Sequence, residues 1–401
     1  MNNVAFFYIY RIVSRLYFHL PILFVYFYLQ HLSLPIIELL LAVYGLVVML
    51  TAKWNVKLMA LMRQTKVIAI GEGLKGIGLL LLVSDTHMGV LLLGQIACGL
   101  GYSLAAGTDS SLLRSLFSEQ DQKRYQKTES SSASYMFLSV LLAGIAGSMF
   151  FGSNIKLPFY LSIASNVLSL SVILLIRNTG HTAQGVLSVA DKSRDGQKEP
   201  AAALELTPGQ RYWKRYYALI RAFTLAPFVG FIPFLLYRRL EIGLFYFGLV
   251  LSLFTLLGFI SARYAVRVGM KIGENRLVII TTLLSVLSMI VVGLSQHIGS
   301  AAVAIALMGL ASGGARPLAA GQLNGSGMRP AERTAVLSSM ERMYGFWNAL
   351  LLIAGGFVLQ EFGLRMLMFG LAAVFFLVSA ASLLLSRGKT SAHPVTGQLP
   401  S

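Results

Sequence analysis

Ionisable side chains set inside otherwise apolar runs mark where this chain could do chemistry. Glu72 and Lys75 stand three residues apart in the run 67–83 and so share one face of a helix, where the carboxylate either pairs with the amine or carries a proton. Asp109 lies at the end of another run; with Lys57, Arg63 and Lys66 in a nearby basic loop, it predicts a charge cluster that protonation of Asp109 would loosen. Arg316 and Glu341 fall at similar depth in two later runs and can pair, with Arg114 and Arg342 as competing partners for Glu341. His19 combines a group that titrates near neutrality with a neighbouring proline, Pro21, that can bend a helix. Glu38 opens a run and is expected to reach water. At the centre of an apolar span an ionisable group costs at least ~2.5–3.5 kcal/mol, so each of these needs a partner, water or a function.

The elements that must position these residues are membrane helices. Of the 401 residues 56% are hydrophobic and only 12% charged, a balance far from that of a water-soluble globule. Mean hydropathy is +0.70. A crossing needs about 20 apolar residues, and the pattern predicts twelve: 5–30, 35–52, 67–83, 88–113, 132–152 and 157–176, then 216–237, 242–262, 276–295, 300–321, 335–359 and 364–386. The first is read as a retained span, because 4–29 has neither a basic leader nor a small-residue cleavage site.

A net charge of +17 would suggest nucleic acid in a soluble protein, but here the basic residues sort by side of the membrane. Outside loops keep only Lys156, Arg238, Arg239 and Arg365, whereas Arg11, Arg15, Lys53, Lys123, Arg124, Lys127, Arg263, Arg267, Lys271 and others share the opposite side. By the positive-inside rule both termini are cytoplasmic, and the expected setting is a multi-pass protein of the cell (inner) membrane with no nucleic-acid partner. Residues 177–215 have linker composition, and their end, Arg211 to Tyr217, reads as a segment lying along the headgroups. The division is thus a bundle over 1–176, a cytoplasmic linker over 177–215, a second bundle over 216–386 and a tail over 387–401.

The halves repeat at a shift of about 210 residues: Arg11 with Arg221, Lys57 with Arg267, Lys66 with Arg276, and Gly99-Leu100 with Gly309-Leu310. Enzymatic readings find little support. There is no Walker loop, the six histidines lack metal-ligand spacing, and Gly71, Gly73 and Gly76 echo a dinucleotide string inside an apolar helix without a preceding strand. No metal or cofactor is expected, and Cys98 reads as a small packing residue.

With this repeat, and with Gly107-Thr108-Asp109-Ser110 closing span four and Arg316-Pro317 through Asn324 to Arg333-Thr334-Ala335-Val336-Leu337-Ser338 linking spans ten and eleven, the chain resembles the major facilitator superfamily, especially its bacterial exporters. In the loop between spans two and three, and in its second copy Gly258 to Arg276, the basic residues of the family pattern are present but its Asp is not. The resemblance implies an all-α polytopic protein of twelve transmembrane helices in two pseudo-symmetric six-helix bundles, rocking about a central cavity lined by spans one, four, seven and ten. It implies a secondary active transporter working as a monomer on protons and a small organic molecule, a drug or siderophore-like metabolite, in the export direction. Import of a polar solute by proton symport, or a non-transporting scaffold or sensor on the same fold, are the alternatives. On this reading His19, Glu72, Asp109 and Glu341 are candidates for proton coupling. Lys57, Arg63, Lys66, Lys75, Arg114 and Arg316 are gate or charge-pair candidates, and Tyr26, Tyr102, Tyr344, Trp347 and Asn348, with Tyr135, offer the amphipathic surface of a cavity.

Overall fold

The computed structural model describes residues 3–52, 54–106, 108–118, 120–176, 206–323 and 330–390. Lys53, Gly107, Asn324, Arg329, linker residues 177–205 and tail residues 391–401 lie outside the described residues. Within them the first half of the chain forms α1 (Asn3–Val13), α2 (Leu23–Leu29), α3 (Leu34–Thr51), α4 (Trp54–Leu61), α5 (Gln64–Ser84), α6 (Met88–Ala105), α7 (Thr108–Ser115), α8 (Gln122–Ser153) and α9 (Leu157–Leu174). The second half forms α10 (Pro208–Ala226), α11 (Leu244–Ile272), α12 (Glu274–Leu294), α13 (Ile298–Gly313), α14 (Ala315–Leu323) and α15 (Pro330–Thr390). α10 runs on to Arg239 through two π-helical turns, Pro227–Phe231 and Leu235–Arg239.

The helices are inside out relative to a soluble protein. On α12, Thr281, Thr282, Ser285 and Ser288 are buried, while Ile280, Leu283, Leu287 and Leu294 face outward. α9 repeats the pattern with Ser162, Ser165, Asn166 and Ser169 inside and Val167, Leu168 and Leu174 outside. Such a surface is stable against hydrocarbon, where polar side chains bond only to one another. Among the described residues ten helices are long and apolar enough to cross a membrane, so the chain is a multi-pass membrane protein.

Four departures from the expected spans shape the interior. The last two spans are two helices that meet with no loop between them at the non-helical Gly363, whose φ of 77° only glycine adopts without strain; Gly273, at φ 88°, makes the corresponding tight join between α11 and α12. The fifth span begins ten residues early, at Gln122, and takes Glu129 into the helix. The segment expected along the headgroups is the first part of α10, begun by a reciprocal cap in which Gln210 N–H donates to Thr207 Oγ1 (3.2 Å) and Thr207 N–H to Gln210 Oε1 (3.0 Å). Its Trp213, Tyr216 and Tyr217 are buried because the helix runs straight into the bundle.

The fourth departure is the first span, which is not one helix. Residues 14–22 between α1 and α2 are turns and irregular backbone, and Pro21 supplies no N–H to continue a helix. Backbone freed from a helix must find partners at this depth. Serines of α9 provide them: His19 N–H donates to Ser162 Oγ (3.3 Å), and Ser165 Oγ–H donates to the Val13 carbonyl (2.5 Å). Gly147 of α8 makes room, since a Cβ there would overlap the Phe18 carbonyl.

α5 packs on α6 and α9, and α11 on α13, within each half of the sequence; α3 against α15 and α8 against α11 join the halves. Gly147→Ala should cost about 1–3 kcal/mol by overpacking the broken segment. Thermal unfolding of the detergent-solubilised variant measures this, and a midpoint equal to that of the parent would show that the approach is not close.

Candidate functional site

A cavity of about 270 Å³ lies between the two halves of the chain. The broken first span contributes Arg15, Tyr17 and His19, and Lys75, Gln95, Cys98 and Tyr102 come from α5 and α6. The second half contributes Arg221, Arg316, Tyr344 and Asn348, and the remaining wall is largely Leu and Phe. No carboxylate lines it among the described residues, whereas four basic side chains do: Arg15, Lys75, Arg221 and Arg316.

Below one end of the cavity sits a buried charge cluster that ties the halves together. Arg11 Nη2 lies 3.4 Å from Asp109 Oδ2 and 3.3 Å from Glu129 Oε1, and donates to Ser110 Oγ at 3.0 Å. Arg316 crosses from α14 to Asp109 Oδ1 at 2.9 Å and reaches Glu341 Oε1 at 3.6 Å. Arg221 Nη1 is 3.1 Å from both Glu341 oxygens, Tyr217 Oη–H donates to Oε1 at 2.6 Å, and Tyr102 Oη–H, from the first half, donates to Oε2 at 3.1 Å. The Arg221 guanidinium also lies 4.4 Å from the Tyr344 ring centroid. Asp109 and Arg11 are fully buried, so charges here interact at low dielectric and unscreened by salt.

Two features set what this cluster can do. The same ion pair is built twice, Arg11 with Glu129 and Arg221 with Glu341, at matching places in the two halves. The cluster also holds four guanidiniums, of Arg11, Arg15, Arg221 and Arg316, against the carboxylates of Asp109, Glu129 and Glu341. Of the four, Arg15 stands farthest from its nearest carboxylate, 3.9 Å from Asp109, while its Nη1 donates to Tyr17 Oη; the Nε atoms of Arg11, Arg15 and Arg316 have no acceptor, nor does Gln95 Nε2 on the cavity wall. Buried donors are seldom left so unless a ligand or water meets them.

Several residues lie elsewhere than the sequence implied. Asp109 is not paired with the loop residues Lys57, Arg63 and Lys66, which are exposed; Arg11, Arg15 and Arg316 take that place because the first span brings its two arginines inward. Neither competitor pairs with Glu341. Arg114 donates to the carbonyls of Phe117 and Ser118, and Arg342 is exposed on the other face of α15. Glu72 and Lys75 do approach, at 2.5 Å, with Tyr10 and Ser169 also donating to the carboxylate. His19 Nδ1 bonds Ser162 Oγ at 2.9 Å.

Of the aromatic set, Tyr102, Tyr344 and Asn348 line the cavity. Tyr26 instead donates to the Leu82 carbonyl, Trp347 packs between Phe223 and Phe346, and Tyr135 meets Tyr8 edge to face. The cavity also draws on α3, α5, α8, α11 and α15, beyond the four spans expected. Glu129 and the roles of Arg15, Arg221 and Tyr217 were not anticipated. The repeat was the available signal, for Glu129 stands to Glu341 as Arg11 does to Arg221, at a shift of roughly 210.

No family model matches the chain, and no curated protein matches it by sequence. Solved structures do. The chain is similar to the human organic anion transporter MFSD10 (TETRAN), at 12% identity over 94% of this chain and 98% of that one, with a TM-score of 0.71. A POT family transporter in complex with a thioalcohol-conjugated peptide matches at 15% identity over 96% of each chain, TM-score 0.67. The nucleoside transporter NupG matches at 11% over 96% and 99%, TM-score 0.68. At such low identity the likeness establishes the fold, which is the one these transporters share.

Breaking the cluster should be costly. Glu341→Gln leaves the Arg221 and Arg316 guanidiniums without their shared carboxylate and should destabilise by about 3–5 kcal/mol. Adding Arg221→Met should recover part of the loss; thermal unfolding of the single and double variants reads the coupling, and strictly additive effects would mean the pair does not interact.

Proposed function

We propose that this protein is a secondary active transporter that moves a small amphipathic organic anion by alternating access, coupled to protons. The observation that carries the substrate class is the cavity wall, with four basic side chains, no carboxylate among the described residues and a largely apolar remainder. An anion there would lie beside Arg15, Arg221, Arg316 and Gln95, and would offset the surplus guanidinium of the cluster. Its apolar body would lie against the leucine and phenylalanine wall, as in most small-molecule sites. That one structural neighbour is an organic anion transporter agrees with this reading.

The cycle we infer follows from the cluster's position. Along α6 and α7, cavity residue Tyr102 is followed by Asp109; along α15, Glu341 precedes cavity residues Tyr344 and Asn348. With both termini cytoplasmic, two six-helix bundles over 1–176 and 216–386 would be latched on the cytoplasmic side by Arg316–Asp109 and Tyr102–Glu341, contacts that cross between the halves. Opening that side means breaking them. Export is the direction favoured by the segments around Asp109 and Arg333, and the latch supplies the two discrete arrangements that alternating access requires.

Purified protein in liposomes carrying a pH gradient tests this with a panel of amphipathic carboxylates and sulfonates and matched neutral and cationic compounds. Anions should drive saturable proton flux whose sign gives the direction, and equal responses to the cations would overturn the substrate class. Arg15→Gln should weaken anion binding about tenfold or more, from the ~1.5–3 kcal/mol of a charge-assisted hydrogen bond. Asp109→Asn should raise labelling of single cysteines from the cytoplasmic side, by removing the negative charge that holds Arg316. Unchanged labelling would mean that the cluster is no latch.

A further inference from the structure

Five carboxylates are buried among the described residues: Glu38, Glu72, Asp109, Glu129 and Glu341. Four of them face a cation. Glu38 does not, for it is fully buried and neither oxygen has a hydrogen-bond partner. It lies in the second turn of α3, on the face that carries Gly45 two turns later, and so on the seam between α3 and α15. The backbones nearly touch along this seam, where a Cβ on Gly45 would come 2.9 Å from the Gly345 carbonyl.

At the level of Glu38 the second half of the chain presents glycine from two elements. A Cβ on Gly356 of α15 would come 2.9 Å from Glu38 Cβ, and one on Gly230, in the first π turn of α10, would overlap the Glu38 carboxyl. The carboxyl therefore fills a seat made by two missing side chains. Other titratable groups at this end turn away: Arg238, Arg239, Glu361, Arg365, His31 and Glu241 are exposed, and Tyr28 packs on Tyr237 with ring centroids 6.1 Å apart. The seat lies beyond cavity residues Leu41 and Tyr44 on α3, Val229 on α10 and Leu352 on α15, at the end opposite the charge cluster.

The repeat shows that packing does not demand an acid here. At the shift of about 210, Gly248 of α11 takes the place of Glu38, and the matching seam closes with Gly248 against Ser148 of α8, a Cβ on the glycine falling 2.6 Å from Ser148 Cβ. A carboxyl buried without a cation or a donor is tolerated as the neutral acid and strongly disfavoured as the anion.

We propose that Glu38 is a proton-binding site that gates the end of the cavity opposite the charge cluster. The protonated carboxyl seats against Gly230 and Gly356 and closes the α3–α15 seam. On losing its proton to water the carboxylate leaves the seat, and the seam opens. The sign follows from linkage: the closed form binds one more proton than the open form, so acid closes this end and alkali opens it. The inference rests on the transport reading only in that both require this end to open; it needs no knowledge of the cargo.

Spin labels at Ser33→Cys and Glu361→Cys, exposed positions on either side of the seam, test it in lipid nanodiscs with Cys98→Ser and no added solute. Distances measured by pulsed electron resonance between about pH 5 and pH 9 should lengthen with rising pH in the parent. In Glu38→Gln, and in Glu38→Ala should the amide fail to fold, they should stay short throughout. A parent distance independent of pH, or a Glu38→Gln protein that responds as the parent does, overturns the proposal. Saturable anion flux with a fixed seam distance would remove Glu38 and keep the transporter, whereas a pH-dependent seam without anion flux would do the reverse.

Discussion

A charge taken out of water must be paid for by another charge, and this constraint organises the interior. The helices present apolar side chains outward along their middles, and the charged groups carried at the level of the cavity are turned in. There Arg11, Arg15, Arg221 and Arg316 meet Asp109, Glu129 and Glu341 within a few ångströms. Pairs of this kind add little net stability over apolar packing, but losing one partner is expensive. They therefore specify an arrangement more than they strengthen it. Since Arg316–Asp109 and Tyr102–Glu341 join residues from opposite halves, what they specify is how the halves meet.

The same constraint explains the broken first span. An unwound segment at membrane depth exposes amides and carbonyls that lipid cannot satisfy, so it must lie against protein or a cavity. Ser162 and Ser165 supply the hydrogen bonds and Gly147 the space, and the unwound stretch sets Arg15, Tyr17 and His19 on the cavity wall. Local irregularity, small residues on the neighbouring helices and cavity chemistry form one structural unit here.

The sequence repeat sets matching residues in the two halves, and its exceptions are informative. The Arg–Glu pair is kept in both copies, Arg11 with Glu129 and Arg221 with Glu341. The seams are also kept, yet a glycine in one copy is the unpartnered Glu38 in the other. Likewise the first copy breaks its leading span outright, while the second keeps a helix that widens into π turns after Pro227. A structure in which equivalent positions carry different chemistry can close its two ends by different means.

The sequence alone determined the solvent, the helical class and the repeat, because hydropathy and glycine spacing are local quantities that a bilayer reads directly. It also located most of the groups that matter, since an ionisable residue inside an apolar run is visible without a fold. Partnership was another matter. Glu72 with Lys75 was legible because three residues along one helix fix their separation, whereas Asp109 with Arg11, Glu341 with Arg221 and the isolation of Glu38 depend on helices far apart in the chain. Only the tertiary structure decides such contacts, for the free energy of a buried charge is set by what stands within a few ångströms of it.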